Sequence, residues 1–484
     1  MPPADERLKD QLRLILGAQA MRDYEGEVGP DADGLEGAAA FPPDWEDVVG
    51  DVEYLYREHS VLVRAASLAR ARTELIRILP DGVEIDEFAV HGVIRLTWRW
   101  PEPEPKQGEE PRGPLPTTPQ VLDGFMIGRT AVPGLDERIG VGVATPDHVL
   151  SLCGHPCPAT EPEEVPRSAV PFPPVSTGLC CCPVGRCGSR RFCDGQGAVV
   201  VIVDGGLLRD APQTHSWLAG VTGDTENPYE NGRIRPYAGH GTFVAGCVRC
   251  VAPRASVIVK RAPVAEHEQK AGAAFETTVA ETIGEALELG PDIIVCEYSA
   301  ESRKDLQLIS FDDLYESRIR PLKGLVLLAP AGNEGKRFPT WPAAHTGVLS
   351  VGALSADWRT RASFSNYGGW VDVYAPGEQL VNAFAKGLYV CNEDPDKGQL
   401  RRFRSMARWS GTSFSTPLVA GLIAARMSAT GESASRAADA LLRFARSQAM
   451  PGVGPVLFPD QAGCGQPGCS CAVVSVPSRC SDDV

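Results

Sequence analysis

Asp204 closes the apolar run "GAVVVIVDGG", His240 stands in "GHGTFVAG", and Ser413 lies in "SGTSFSTPLVAG". Far apart in the chain, these three residue types suit one chemistry. A serine hydroxyl alone is a weak nucleophile. An imidazole with a pKa near ~6.5 can take its proton and return it, and a carboxylate can hold that imidazole in one tautomer. The trio supports nucleophilic hydrolysis through a covalent intermediate, provided the fold assembles it.

Ser413 opens an apolar helical stretch. There, free N–H groups and the positive end of the helix dipole would stabilise a developing oxyanion. On this reading Pro417 falls among positions whose N–H lacks an intrahelical partner. Gly411 lends the backbone freedom ahead of the nucleophile, while Thr412, Ser415 and Thr416 cap or support the turn.

The elements that must position these residues are legible in the hydrophobic pattern. "GAVVVIVDGG", "ASVIVKR", "PDIIVCEYS", "GLVLLAPAGN" and "GVLSVGAL" are continuous apolar runs, with helical patterns such as "FETTVAETIGEALELG" between them. Strands covered on both faces read this way, so residues 196–450 are expected to form an α/β, doubly wound, mainly parallel sheet with helices on both faces. Ligands in such sheets sit beyond the carboxyl ends of the strands.

Residues 1–119 read as a small N-terminal α/β accessory region. It contains strand patterns in "YLYREHSVLVR" and "VIRLTWRW", a helix placing Leu68, Leu75, Ile76 and Leu79 on one face, and a Pro-rich linker over 101–119. Residues 120–195 form a Cys- and Pro-rich connection in which "RIGVGVATPDHVLSL" reads as one more strand pair. Residues 451–484 are a Cys-containing tail.

"VIVDGG", "GHGTFVAG", "AGNEG" and "SGTSFSTPLVAG", in that order, resemble the four signature blocks of the subtilisin-like serine proteases. The resemblance implies a serine endopeptidase with Ser413 as nucleophile, His240 as base then acid, Asp204 as orienting carboxylate and Asn333 as a side-chain donor to the oxyanion. It also implies a substrate-binding role for Glu297, Tyr298 and Ser299 and for Ala329, Pro330 and Ala331. It requires no cofactor for catalysis. Many such enzymes carry an N-terminal prodomain that blocks the cleft until cleaved, so residues 1–195 are expected to include an autoinhibitory or regulatory region.

Two departures from the family pattern stand out. Gly205 replaces the usual Ser or Thr after the catalytic Asp, and "CEYSA" replaces Ser-Leu-Gly-Gly in the pocket strand. Glu297 either selects a basic substrate residue or points away from the cleft. An inactive peptide-binding scaffold of the same fold is the rival reading.

With 47 Lys and Arg against 62 Asp and Glu, the chain carries a formal charge of -15, which disfavours nucleic acid and anionic lipid as partners. The first residues lack a basic stretch followed by a pure apolar run, and no uninterrupted apolar stretch spans about 18 residues, so the expectations are a cytoplasmic location and no membrane span. Peptide or protein substrate is the partner expected; oligomeric state is not legible.

Ten of the 15 cysteines cluster in "CGHPC", "CCCPVGRCGSRRFC" and "CGQPGCSC". Their irregular spacing leaves structural zinc, disulfides and uncommitted loop thiols as three readings. No acidic ligand run points to calcium. Cys247, Cys250 and Cys296 read as buried small hydrophobes, and His215, His267 and His345 as surface or packing residues. "RRFRSMARW" concentrates arginines just ahead of Ser413 and reads as a solvated loop first, or as a contact for an acidic substrate or another domain.

Overall fold

The Val199–Asp204 run is buried on both faces because successive side chains feed two different cores. Val200 and Ile202 belong to one hydrophobic cluster, while Val201 and Val203 belong to the other. Each buried Val or Ile side chain contributes about 1.5–3 kcal/mol relative to exposure. In the computed structural model, residues 12, 15–16, 38–41, 52–102, 112–152, 159–177, 192–263, 272–393 and 395–461 are described.

Val199–Asp204 is the third strand of a seven-stranded sheet. The spatial order is Thr222–Gly223, Ser256–Arg261, Val199–Asp204, Ile293–Cys296, Val326–Pro330, Val348–Leu354 and Val373–Pro376. Every pairing in it is parallel. Helices His240–Val251, Thr412–Thr430 and Ala434–Ser447 cover one face, and Glu276–Leu287 and Ile309–Leu314 cover the other. This is the doubly wound arrangement read from the alternating runs.

Thr412–Thr430 is apolar nearly all round, as a helix in a large core must be. It runs close against His240–Val251. A Cβ on Gly421 would stand 2.8 Å from Val251 Cβ, so only glycine permits the approach.

The N-terminal region has its own antiparallel sheet, in the order Glu84–Val90, Val93–Arg99, Ser60–Arg64, Ala144–Thr145. Helix Leu68–Ile78 packs on it through Ala71, Leu75 and Ile78. Ile76 is 52% exposed, contrary to the sequence reading: the buried face follows i, i+4, i+7 from Ala71, which turns position 76 outward. This core runs on past residue 119 to Leu135, Ile139 and Ala144.

Two readings need correction. Val149–Leu152 does not pair with Ala144–Thr145; its partners lie in the large domain. "RRFRSMARW" is a strand, Leu400–Trp409, in an antiparallel hairpin with Leu380–Val390. Phe403, Ala407 and Trp409 are buried while Arg402 and Arg404 face outward, a period of two hidden by the density of arginine. Most of the cysteine clusters, and His267, lie outside the described residues.

Candidate active site

Asp204 is the last residue of its strand, at the carboxyl edge of the sheet. His240 is the first residue of its helix, and glycines bring the two together. Gly239 has φ 85, and a Cβ there would lie 3.0 Å from the Phe384 ring, so both conformation and space require glycine. A Cβ on Gly241 would come within 2.4 Å of the Gly206 carbonyl and 3.1 Å of Asp204 Oδ1. The small residues of "GHGTFVAG" are therefore what lets the helix start against the strand end.

His240 Nδ1 lies 2.8 Å from Asp204 Oδ2 and 3.0 Å from Oδ1. The carboxylate also accepts the Gly205 N–H. An acceptor at Nδ1 fixes the tautomer with the proton there and leaves Nε2 as the basic nitrogen. Nε2 is buried and has no hydrogen-bond partner among the described residues, so it is not bonded to the Ser413 hydroxyl in this state. Such bonds often tighten only when substrate is bound.

Ser413 is the second residue of helix Thr412–Thr430 and is adjoined by Phe414, whose ring centroid is 5.4 Å from that of His240. Trp409 meets the imidazole edge-on at 5.6 Å and packs against Phe414 at 5.3 Å. Asp204, His240 and Ser413 all have 0% exposure.

The hydroxyls around Ser413 have definite work. Ser415 and Thr416 both donate to the Thr412 carbonyl, at 2.9 and 2.8 Å. Thr412 donates its N–H (2.9 Å) and its hydroxyl (3.0 Å) to Asn333 Oδ1, and accepts the Gly332 N–H at 3.1 Å. With its oxygen engaged twice, Asn333 has its amide NH2 as the remaining hydrogen-bonding end. Two sequence arguments change. Gly411 has φ 165, an extended geometry open to any residue, and Pro417 is the sixth helical residue, past the positions whose N–H is free.

Val149–Leu152 runs through this site as the middle strand of a three-stranded antiparallel sheet, between Ala273–Phe275 and Tyr298–Ser299. Leu152 is opposite Tyr298 and Ser151 opposite Ser299, and Leu152 donates its N–H to the Gly272 carbonyl at 2.9 Å. Sequence reasoning missed this placement because a short apolar strand carries no mark of its partner.

The residues just before that strand fasten it. Asp147 caps helix Glu276–Leu287, accepting the Thr277 N–H at 3.2 Å and its hydroxyl at 3.0 Å, and meets Arg57 at 3.0 Å. His148 Nδ1 is 3.0 Å from Glu276 Oε2, and its Nε2 accepts the Arg303 N–H at 3.2 Å.

Of the other residues singled out, Tyr298 is buried with its hydroxyl 3.4 Å from the Asp204 carbonyl, and burial pushes its ionisation well upward. Ser299 is buried opposite Ser151. Glu297 has 0% exposure, and its charge is near enough to Cys247 to add to the burial that raises that thiol. Ala329 and Pro330 end the neighbouring sheet strand, and Ala331 follows, donating to the Val351 carbonyl. Cys247, Cys250 and Cys296 are buried free thiols, His215 packs on Trp217 at 4.7 Å, and His345 stands 3.5 Å from Asp312. Among the described residues, no group of three or more His, Cys, Asp or Glu is placed to hold a metal ion, and no helix is long and apolar enough to cross a membrane.

Comparison with known proteins agrees with this fold. A model of the Subtilase family matches residues 195–449. Thermitase from Thermoactinomyces vulgaris is 28% identical over 254 residues, which cover 50% of this chain and 78% of that protein. An intracellular serine protease from Paenibacillus polymyxa is 28% identical over 246 residues, covering 48% of this chain and 66% of its relative. The crystal structure of fervidolysin from Fervidobacterium pennivorans, described as a keratinolytic enzyme related to subtilisin, shares the fold with TM-score 0.50 and 15% identity, over 84% of this chain and 61% of that one.

Proposed function

Because the chain belongs to the subtilase family, we propose that it is a serine endopeptidase in which Ser413, His240 and Asp204 act as one catalytic unit. Ser413 attacks the peptide carbonyl while His240 Nε2 takes its proton. His240 then protonates the leaving amine, and water releases the acyl group from Ser413 by the same steps in reverse order. Asp204 steadies the imidazolium. The Asn333 amide and the Ser413 backbone N–H stabilise the oxyanion.

The observation that carries this reading is the contact of His240 Nδ1 with Asp204 at 2.8 Å, at the start of a helix packed against the one bearing Ser413. A fluorophosphonate probe tests it. The expected result is labelling of the activated wild-type protein and none of Ser413→Ala. No labelling of wild type under any activating condition would favour the inactive scaffold.

The same proposal extends to regulation. Val149–Leu152 occupies the place where an extended substrate would pair with the cleft edges, so the N-terminal region holds the enzyme closed until the chain is cut beyond Leu152. An enzyme released in this way suits limited processing of peptide or protein substrates. Gel analysis should show two fragments for wild type and one intact chain for Ser413→Ala, with the new N-terminus a few residues after Leu152. Intact chains in both would remove self-processing. We place the enzyme in the cytoplasm, to be checked by fractionation of cells producing it.

A further inference from the structure

Beside the His240 helix opens a groove of about 1630 Å³ whose rim carries Arg167, Arg209, Arg261, Lys386, Arg402 and Arg404, against the carboxyl groups of Asp210 and Glu226. In a chain with 62 acidic residues and a charge of -15, this concentration of cations is unusual. Arg57, Arg64, Arg99 and Arg138 each take a carboxylate partner. Among the described residues, the side chains of Arg209, Lys386, Arg402 and Arg404 take none.

Their placement is costly to the fold alone. Lys386 and Arg404 stand directly opposite each other on the hairpin, and like charges in that position are destabilising. Arg402 lies two residues along on the same face, with buried Phe403 between them. A ligand of opposite charge would relieve this repulsion.

Two further features indicate what that ligand is. The hairpin already holds an acidic extended segment of this chain: Glu163 exchanges backbone bonds with Arg408 at 2.8 and 2.9 Å, Tyr389 donates its hydroxyl to Glu161 at 2.6 Å, and Glu164 accepts the Arg402 N–H. The groove also adjoins the smaller cavity around Leu152 and Gly205, since Glu226 and Arg261 stand between the two and line both.

We propose that this groove binds an acidic stretch of the polypeptide substrate, seating Asp and Glu side chains on Arg209, Lys386, Arg402 and Arg404 while the bond to be cut lies at Ser413. The proposal rests on the peptidase reading above. Nucleic acid is the less favoured occupant, because the acidic remainder of the chain repels an extended polyanion.

The test is direct binding to full-length Ser413→Ala, followed by fluorescence anisotropy of a labelled Glu-rich peptide and its Gln counterpart. The Glu peptide should bind and the Gln peptide should not, with affinity falling as salt rises. Reversing two charges together, Arg402→Glu with Arg404→Glu, should weaken binding at least about tenfold, and Arg209→Glu, on a different element, should act in the same direction. Thermal unfolding establishes that each variant is folded. Equal binding of the Gln peptide, unchanged affinity in the folded variants, or displacement by single-stranded DNA of equal charge at equal or lower concentration would each overturn the proposal. Because no catalysis is required, loss of binding leaves the peptidase reading intact, and failure of probe labelling leaves the binding result legible.

Discussion

Leu152 and Gly205 face each other in the cleft: a Cβ on residue 205 would stand 3.5 Å from Leu152 Cδ1. Gly205 follows the Asp that meets His240, and Leu152 ends the strand proposed to occupy the site. On the proposed peptidase reading, the missing side chain at 205 would leave space for a substrate residue, a steric role beyond the loss of a hydroxyl.

Gly205→Ala is therefore expected to fold with little change in Tm, since 3.5 Å is ordinary contact distance. Its effect should fall on selectivity. Activated enzyme should lose preference for a peptide with Leu at the position Leu152 occupies, relative to one with Ala there, by up to about tenfold, the scale of a methyl group or two in an apolar pocket. Equal kcat/KM ratios in wild type and variant would show that residue 205 does not shape this subsite.

Asn333→Ala removes the amide proposed to meet the oxyanion. It should lower kcat by about 10²–10³-fold with KM nearly unchanged, the signature of an interaction made only in the transition state. The variant also strips two bonds from Thr412, so Tm should fall as well. Comparison with Thr412→Val, which keeps the amide but loses the hydroxyl bond, separates the two effects: a comparable kcat in both variants would make Asn333 a support for the helix start and no oxyanion donor.

Asp147 ties the occupying strand to the large domain, capping one of its helices and meeting Arg57 while fully buried. Losing the cap alone costs about 1 kcal/mol, and the lost Arg57–Asp147 bond adds to this. Asp147→Ala should release the strand more readily, seen as faster appearance of cleaved fragments at fixed temperature. An unchanged rate would place the hold on the strand elsewhere.

The doubly wound sheet was legible because strands buried on both faces need unbroken β-branched runs, as in Val199–Asp204. The site elements were legible because close approach at Gly239 and Gly241 admits no side chain, which leaves a conspicuous motif. Long-range pairing was not legible. "HVLSL" has the same composition whether it pairs with its neighbour or lies between Ala273–Phe275 and Tyr298–Ser299, and nothing local distinguishes the two. The groove was hidden for a related reason: Arg402 and Arg404 are two residues apart in sequence, but Arg167, Arg209 and Lys386 join them only through the hairpin's position in the fold.

Glu226 provides a pH-dependent prediction. Burial lifts its carboxyl to about 8, although the Gly239 N–H donates to it at 2.8 Å and Arg235 lies 3.9 Å away, both acting in the opposite direction. In the unfolded chain a Glu titrates near ~4.3. Between those values the folded state keeps the proton and the unfolded state releases it, so this residue's favourable contribution is present below the unfolded value and is lost as pH rises to about 8. Glu226→Gln retains an acceptor for Gly239 and cannot ionise, so it should abolish this residue's share of the slope. The Tm of wild type should fall more between mildly acidic and mildly alkaline buffer than that of Glu226→Gln. Glu58, raised by burial to about 7, contributes to both proteins alike, so the difference between their slopes is the quantity to measure. Parallel slopes would mean that Glu226 is already ionised in the folded protein, with Arg235 and Arg261 holding its charge.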